Sequence, residues 1–137
     1  MIIRPATQSD DLVAIWREVY EADHAPLLPK DLAGQFEPRG EAFVAVDDNV
    51  IVGFSYVAGD WLDELWVAKA WQGRGVGTAL IRHAEDLMRS RGITEASLSV
   101  LKVNAKAIAL YRRLGWHETK SFVAPNGQPY LKLTRQI

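Results

Sequence analysis

At 137 residues the chain is the size of one ordinary domain, which leaves no room for two independent catalytic units. Hydrophobic residues make up 48% and charged residues 24%, a globular composition, and the absence of cysteine excludes disulfide scaffolds, thiolate zinc sites and a cysteine nucleophile. The net charge of −1 argues against general affinity for nucleic acid or membranes, but it is unevenly placed: residues 1–68 carry four Lys/Arg and thirteen Asp/Glu, residues 69–137 twelve and four.

In chain order, residues 2–4 read as a short strand closed by Pro5. Ser9-Asp10-Asp11 then supplies helix-capping chemistry ahead of a helical stripe, Leu12, Ile15, Trp16 and Val19. Pro26, Pro29, Gly34, Pro38 and Gly40 mark residues 21–40 as loop, with one short helix around residues 30–36. Residues 42–46 and 50–57 read as strands joined by the hairpin signal Asp47-Asp48-Asn49, and residues 62–67 as a further strand. A Gly-rich turn, Gln72-Gly73-Arg74-Gly75-Val76-Gly77, opens an amphipathic helix with Val76, Ala79, Leu80, His83, Ala84, Leu87 and Met88 on one face, ended by Gly92. Residues 96–101 alternate like a strand. Asn104 opens a second helix, Ala107, Ile108, Leu110, Tyr111 and Leu114 facing inward and Gly115 stopping it. The tail reads as two strands around Pro125-Asn126-Gly127. The order predicts a mixed α/β fold in one domain spanning residues 1–137. No run reaches the length of a signal peptide or membrane span, so the expectation is a soluble cytoplasmic protein.

The strand, Gly-rich turn and helix over residues 62–91 carry the sharpest chemistry. A chain that turns abruptly into a helix leaves N–H groups unpaired at the positive end of the helix dipole. Glycines at 73, 75 and 77 let phosphate oxygens approach the main chain, and Lys69 and Arg74 add positive charge. The spacing G-x-G-x-G fits neither the P-loop nor the dinucleotide fingerprint G-x-G-x-x-G. On these residues alone, glycines that merely permit close packing remain the alternative.

Gln72-Gly73-Arg74-Gly75-Val76-Gly77 resembles the Q/R-x-x-G-x-G/A pyrophosphate loop of the GNAT superfamily, the acyl-CoA-dependent N-acetyltransferases. Asn104, Ala107, Tyr111, Gly115 and Trp116 resemble that family's second element, N-x-x-A-x-x-x-Y-x-x-x-G-F, with Trp in place of the commoner Phe. The opening Ile3-Arg4-Pro5-Ala6 and Asp10 also look like the family's start, so the resemblance covers essentially the whole chain. It implies a single GNAT-like domain with a mixed, mostly antiparallel sheet. Two central parallel strands, residues 62–67 and 96–101, splay apart to admit CoA between flanking helices. Acetyl-CoA is then the co-substrate. Main-chain groups of Trp66, Val67 and Ala68 meet the pantetheine arm, and N–H groups of Gln72, Gly73, Arg74, Gly75, Val76, Gly77 and Thr78 hold the pyrophosphate.

The resemblance also implies a reaction: direct attack of a bound amine on the thioester, with a backbone N–H such as that of Val67 stabilising the oxyanion. Asn104 caps its helix whatever else it does; by resemblance its amide also reaches the pantetheine, beside Ala107. Tyr111 is spaced for the buried face of that helix, and by resemblance lies beside the CoA sulfur. There a phenol of pKa ~10 protonates a departing thiolate whose own pKa is about 8.5 or somewhat higher. An attacking amine must first lose a proton; of the strand residues Asp63 and Glu64, Glu64 is the favoured base, directly or through water, with bulk water acting alone as the alternative. Some relatives place a catalytic Glu five residues before the Asn, where this chain has Ser99. Lys102, Lys106, Arg112 and Arg113 are candidates to face the 3′-phosphate.

Other chemistries lack residues. Gly53-Phe54-Ser55-Tyr56-Val57 has no closing glycine for a nucleophile elbow, and His24, His83 and His117 lack metal-ligand spacing. The five Trp are not interleaved with a basic stripe, against a nucleic-acid partner. The expected partners are acetyl-CoA and an amine, with a homodimer common in the family. The acidic first half favours a cationic amine. A non-catalytic CoA-binding sensor on the same fold and a nucleotide-binding domain are the alternatives.

Overall fold

Strands β1 (Ile2–Pro5), β2 (Glu41–Asp47), β3 (Val50–Ala58), β4 (Trp61–Val67), β5 (Glu95–Leu101), β6 (His117–Val123) and β7 (Pro129–Gln136) form one sheet in the order β1-β2-β3-β4-β5-β7-β6. Helices α1 (Leu12–Val19), α2 (Val76–Ser90) and α3 (Ala105–Arg113) flank it. These elements come from a computed structural model that describes residues 1–28 and 36–137. Every neighbouring pair is antiparallel except β4 and β5, so the mixed, mostly antiparallel sheet with a parallel central pair is present.

Local chemistry explains the element ends. The Arg4 guanidinium grips Asp10 with both terminal nitrogens (2.9 and 3.1 Å), and Asp10 also accepts from the Thr7 N–H at 2.7 Å. These bonds hold the Asp10 carboxyl well below the usual carboxylate range and fix the turn from β1 into α1. Asp11 caps α1 by accepting from the Ala14 N–H at 3.1 Å. Asp48 and Asn49 both take positive φ, the turn chemistry that closes a tight hairpin between β2 and β3.

The two faces of the sheet bury separate stripes. On one, α1 packs Leu12, Ile15 and Val19 onto Val44 and Phe54. On the other, Ile81, Ala84 and Met88 of α2 and Ile108 and Tyr111 of α3 cover Phe43, Val57, Leu62, Ala96, Leu98, Leu131 and Leu133. Gly53 lets the start of α2 come close: a Cβ there would sit 2.9 Å from the Trp66 carbonyl oxygen and 3.1 Å from Val76. In β4 the pairing runs Glu64 opposite Tyr56 and then Leu62 opposite Val57, which leaves Asp63 as an extra, bulged residue. The bulge lets Leu62, Leu65 and Val67 all serve the α2 side while Glu64 and Trp66 face α1.

Two stretches differ from the sequence expectation. The short helix expected around residues 30–36 lies, apart from Phe36, outside the described residues. The expected loop instead begins with ordered structure: α1 runs into a π-helical turn, Tyr20–His24, and a 3-10 turn, Ala25–Leu27. Trp16, Tyr20 and His24, spaced by four, stack in succession with centroids 5.2 and 6.1 Å apart, so aromatic contact extends the helical path toward Pro26.

Glu85 carries no motif, yet it is a central brace. Its side chain is 2% exposed and accepts from Arg82 Nη1 (2.7 Å), Arg135 Nη1 (2.7 Å) and Trp116 Nε1 (3.1 Å). It thereby ties α2 to β7 and to the end of α3. Truncation strands two half-buried cations, and breaking such a buried group typically costs about 3–5 kcal/mol. Glu85→Ala is expected to lose about 3 kcal/mol or more in denaturant unfolding; a loss below about 1 kcal/mol would show the brace to be solvated.

Candidate active site

β4 and β5 share one paired position, Trp61 beside Ser97, and then part. The Ala68 N–H donates to the Val52 carbonyl at 3.0 Å, across the pair Val67 and Gly53. Antiparallel alternation then turns the peptide groups of Leu65 and Val67 away from β3, toward the gap. A cleft of about 1310 Å³ opens there, walled by β4, α3, the Gly-rich turn and the aromatic residues Trp16, Tyr20 and His24.

The Gly-rich turn closes one end. Gly73 and Gly75 have φ of 76° and 85°, and a Cβ on either would meet nothing within 4 Å. Backbone conformation, not internal packing, therefore requires glycine here, and the space in front stays open. Gly75 caps α2 without any side-chain bond, so the first N–H groups of this 15-residue helix face outward at its positive end. That is a cradle suited to a phosphate.

Of the cofactor residues expected from sequence, Trp66, Val67, Gln72, Gly73, Gly75, Gly77, Thr78, Asn104, Ala107 and Tyr111 line the cleft. Ala68, Arg74 and Val76 do not. The Ala68 N–H is bonded to Val52 and its carbonyl accepts from the Trp71 N–H at 2.9 Å. The Arg74 guanidinium lies over the Trp71 ring, 5.0 Å from its centroid, and the Val76 side chain is buried in the core, which concerns their side chains and not the main-chain N–H groups expected to meet the pyrophosphate. The strand-like edge expected of residues 66–68 is instead that of Leu65 and Val67, because adjacent residues of a strand point their peptides oppositely. Among the four candidate cations, Lys106 and Arg113 line the cleft. Lys102 and Arg112 line a separate groove with Glu118, 3.8 Å from Arg112.

Glu64 and Tyr111 both line the cleft. Burial pushes the Glu64 carboxyl up to about 7; the 2.6 Å bond from the Trp66 indole N–H opposes this, and the neighbouring Asp63 charge adds to it. Burial and the charge of Glu64 push the Tyr111 phenol well above its ordinary value. Its ring packs edge-on against Trp116, 6.1 Å between centroids. Asp63 is otherwise engaged: its carboxylate accepts from the Arg39 N–H (2.8 Å) and guanidinium (3.2 Å). Of these two adjacent acids, Glu64 is the one free to exchange a proton in the cleft.

Asn104 caps α3, its Oδ1 accepting from the Ala107 N–H at 3.2 Å. Its amide nitrogen meets His24 Nε2 at 3.3 Å, and His24 stacks at a tilt on Trp66, 4.7 Å between centroids. Asp23 reaches Lys69 at 2.7 Å and Gln72 at 3.3 Å. The sequence singled out neither Asp23 nor this use of His24. The available signal was the four-residue aromatic spacing that carries α1 onward to them. Among the described residues, no three His, Cys, Asp or Glu are placed to hold a metal, and no helix is long and apolar enough to cross a membrane.

Residues 9–116 match the model of the acetyltransferase (GNAT) family. The chain is 31% identical to the peptidyl-lysine N-acetyltransferase YjaB of Salmonella typhimurium over 131 residues, covering 90% of this chain and 87% of the relative. The solution structure of apo YjaB from Escherichia coli superposes with a TM-score of 0.77 at 24% identity, covering 97% and 95% of the two chains. A ribosomal-protein-alanine N-acetyltransferase from Brucella melitensis superposes over the full length of both chains with a TM-score of 0.80 at 18% identity. These two structures share the fold.

The state of Glu64 has a thermodynamic consequence. Its carboxyl titrates near 4.5 when unfolded and at about 7 when folded, so the folded chain holds the proton more tightly. The contribution of this group to stability is then fully present below about 4.5 and is lost as pH rises through about 7. Glu64→Gln removes that penalty and should be more stable than the parent at pH 8, by on the order of 2 kcal/mol in denaturant unfolding. The gain should vanish toward pH 4; a pH-independent difference would place the carboxylate in water.

Proposed function

The chain belongs to the acetyltransferase (GNAT) family, whose members transfer acetyl groups to amines, and from that premise we propose that its acceptor is a cationic primary amine, a peptide lysine first of all. The observation that carries this reading is a carboxylate, Glu64, that lines the cleft beside the Trp66 indole with no cation paired to it among the described residues. The similarity to a peptidyl-lysine N-acetyltransferase over most of both chains supports the same acceptor class.

The residues fit acetyl-CoA, the family's acetyl donor. The open glycine cradle at the start of α2 suits its pyrophosphate, and the N–H groups of Leu65 and Val67 offer a strand edge to its amide-bearing arm. Lys106 and Arg113 supply positive charge on the α3 side of the cleft. Bound there, acetyl-CoA supplies an activated acyl group and departs as a thiol.

The chain's own groups then manage protons and charge. A lysine ammonium of pKa near ~10 cannot attack until it is deprotonated, and Glu64 in its ionised form takes that proton. A base titrating near 7 is half ionised at neutral pH, a match between availability and strength. The Val67 N–H, directed into the gap, is positioned to polarise the carbonyl under attack. Tyr111 keeps its proton throughout the physiological range and can give it to the departing sulfur. Because burial raises the phenol further above a thiol, that transfer is uphill unless it accompanies carbon–sulfur cleavage. Its contribution should therefore sit at the lower end for general-acid catalysis. With no cysteine in the chain, a thioester-linked enzyme intermediate has no nucleophile, in keeping with direct attack.

The test is an acetyl-transfer assay following free thiol release over lysine peptides, peptides with free N-termini, polyamines and amino sugars. Lysine peptides are expected to turn over, with kcat/KM rising through pH about 7 as Glu64 ionises. Glu64→Gln should slow transfer by about 10²-fold and remove that limb, and Tyr111→Phe should lower kcat by about tenfold to a hundredfold with acetyl-CoA binding intact. Absence of transfer to any amine, or a Glu64→Gln profile superimposable on the parent's, would refute the proposal.

A further inference from the structure

Asp23 lies outside every motif, yet it holds side chains at the cofactor end of the cleft. It accepts from Lys69 Nζ at 2.7 Å and from Gln72 Nε2 at 3.3 Å. The same Gln72 nitrogen donates to the Val67 carbonyl at 3.1 Å, and Gln72 Oε1 accepts from Lys106 Nζ at 3.3 Å. One carboxylate thus anchors a network that ties up Lys69, the first residue of the Gly-rich turn and, through that residue, the Val67 carbonyl on the edge of β4. Burial pushes the Asp23 carboxyl upward, but the bonds from Lys69 and Gln72 outweigh it and hold it below its ordinary value. The carboxylate is therefore fully charged at neutral pH.

His24, the next residue, does the same to Asn104. Because Asn104 Oδ1 accepts from the Ala107 N–H, its amide nitrogen faces His24 and can only donate. His24 must then accept through Nε2, neutral and with its proton on Nδ1; burial, which lowers its pKa, favours that form. The π-helical turn thus straps across the cleft at two adjacent residues, each engaging a group that acetyl-CoA would use.

We infer that Asp23 is an internal competitor for the phosphate end of the cofactor: its carboxylate holds Lys69 and Gln72 until acetyl-CoA displaces it. The inference rests on the placement of acetyl-CoA in this cleft. Two physical points favour competition over mere bracing. A fixed negative charge beside a phosphate cradle opposes a phosphate by like-charge repulsion. And the Gln72 amide nitrogen has two hydrogens, one spent on Asp23 and one on the Val67 carbonyl, so neither is left for a phosphate oxygen while Asp23 holds it. Competition sets the sign of the effect. A brace predicts weaker cofactor binding when it is removed, and a competitor predicts tighter binding.

Calorimetric titration of CoA into the parent, Asp23→Asn, Lys69→Met and the double variant decides between them. Asp23→Asn keeps the shape and removes the charge; Asp23→Ala reads the same position without the amide. CoA is expected to bind both single Asp23 variants about three- to tenfold tighter than the parent, a gain of the size that one partly exposed charge pair supports. The gain should shrink in the Lys69→Met background, where the competed cation is absent and only the repulsion and the hold on Gln72 are left to relieve. Unchanged or weaker binding in the Asp23 variants, or a gain undiminished in the double variant, overturns the inference while leaving the cofactor site intact. A parent protein that fails to bind CoA removes the cofactor placement itself, and this inference with it.

Discussion

The parting of β4 from β5 is the constraint on which the site depends. A parallel pair of this length would normally bury and satisfy every peptide group between its strands. Here one paired position, Trp61 beside Ser97, holds the strands at one end, and past it the N–H groups of Leu65 and Val67 have no partner among the described residues, while the Val67 carbonyl is met only by the Gln72 side chain. A buried edge without partners is costly, so it must face solvent or a ligand. The remaining structure keeps the gap open. β5 is held away by β7, with which it pairs from Glu95 to Leu101, and α3 packs its Ile108 and Tyr111 on that side. Glu85 braces the same corner by joining α2, Trp116 and Arg135.

The gap also explains the chemistry. The bulge at Asp63 shifts the side-chain alternation of β4, so that Glu64 and Trp66 fall on the face toward α1 while Leu62, Leu65 and Val67 serve the other core. Glu64 is then buried beside a single indole donor, with no cation paired to it among the described residues. A carboxylate in that position resists ionisation, and the cost to stability is the source of its basicity near neutral pH. The Asp63 carboxylate one residue earlier shows the alternative: bonded to Arg39, it serves structure. Two adjacent acids in one strand thus take different roles because the bulge gives them different surroundings.

The uneven charge of the chain has a spatial counterpart. The cleft is where the halves meet, with Asp23, Asp63 and Glu64 from the acidic half and Lys106 and Arg113 from the basic half. Much of the acidic charge is already paired, Asp63 with Arg39 and Asp23 with Lys69. The acceptor therefore meets a mouth less negative than composition alone implies. The succession of strands along the chain, both long helices, the Gly-rich turn and the Asn104 cap were all legible, because each has a local signature in periodicity, capping or turn chemistry; the parallel pairing of β4 with β5 came from the family resemblance. What escaped was set by tertiary contact. Ala68 looked equivalent to Val67 until pairing with Val52 showed which peptides turn into the gap. Glu85 read as one more helix charge, though three donors converge on it, two of them from distant segments. Asp23 and His24 sat in a stretch read as loop, and only the fold brings them to Lys69 and Asn104, 46 and 80 residues along the chain.

Amide hydrogen exchange at Leu65 and Val67 tests the central claim most directly. If the edge of β4 is free and is where acetyl-CoA docks, these two amides should exchange quickly in the protein alone, far faster than Trp66 and Ala68 bonded to β3. Both should become protected when CoA is added. Protection of Leu65 and Val67 without CoA, or exchange unaltered at saturating CoA, would contradict the account.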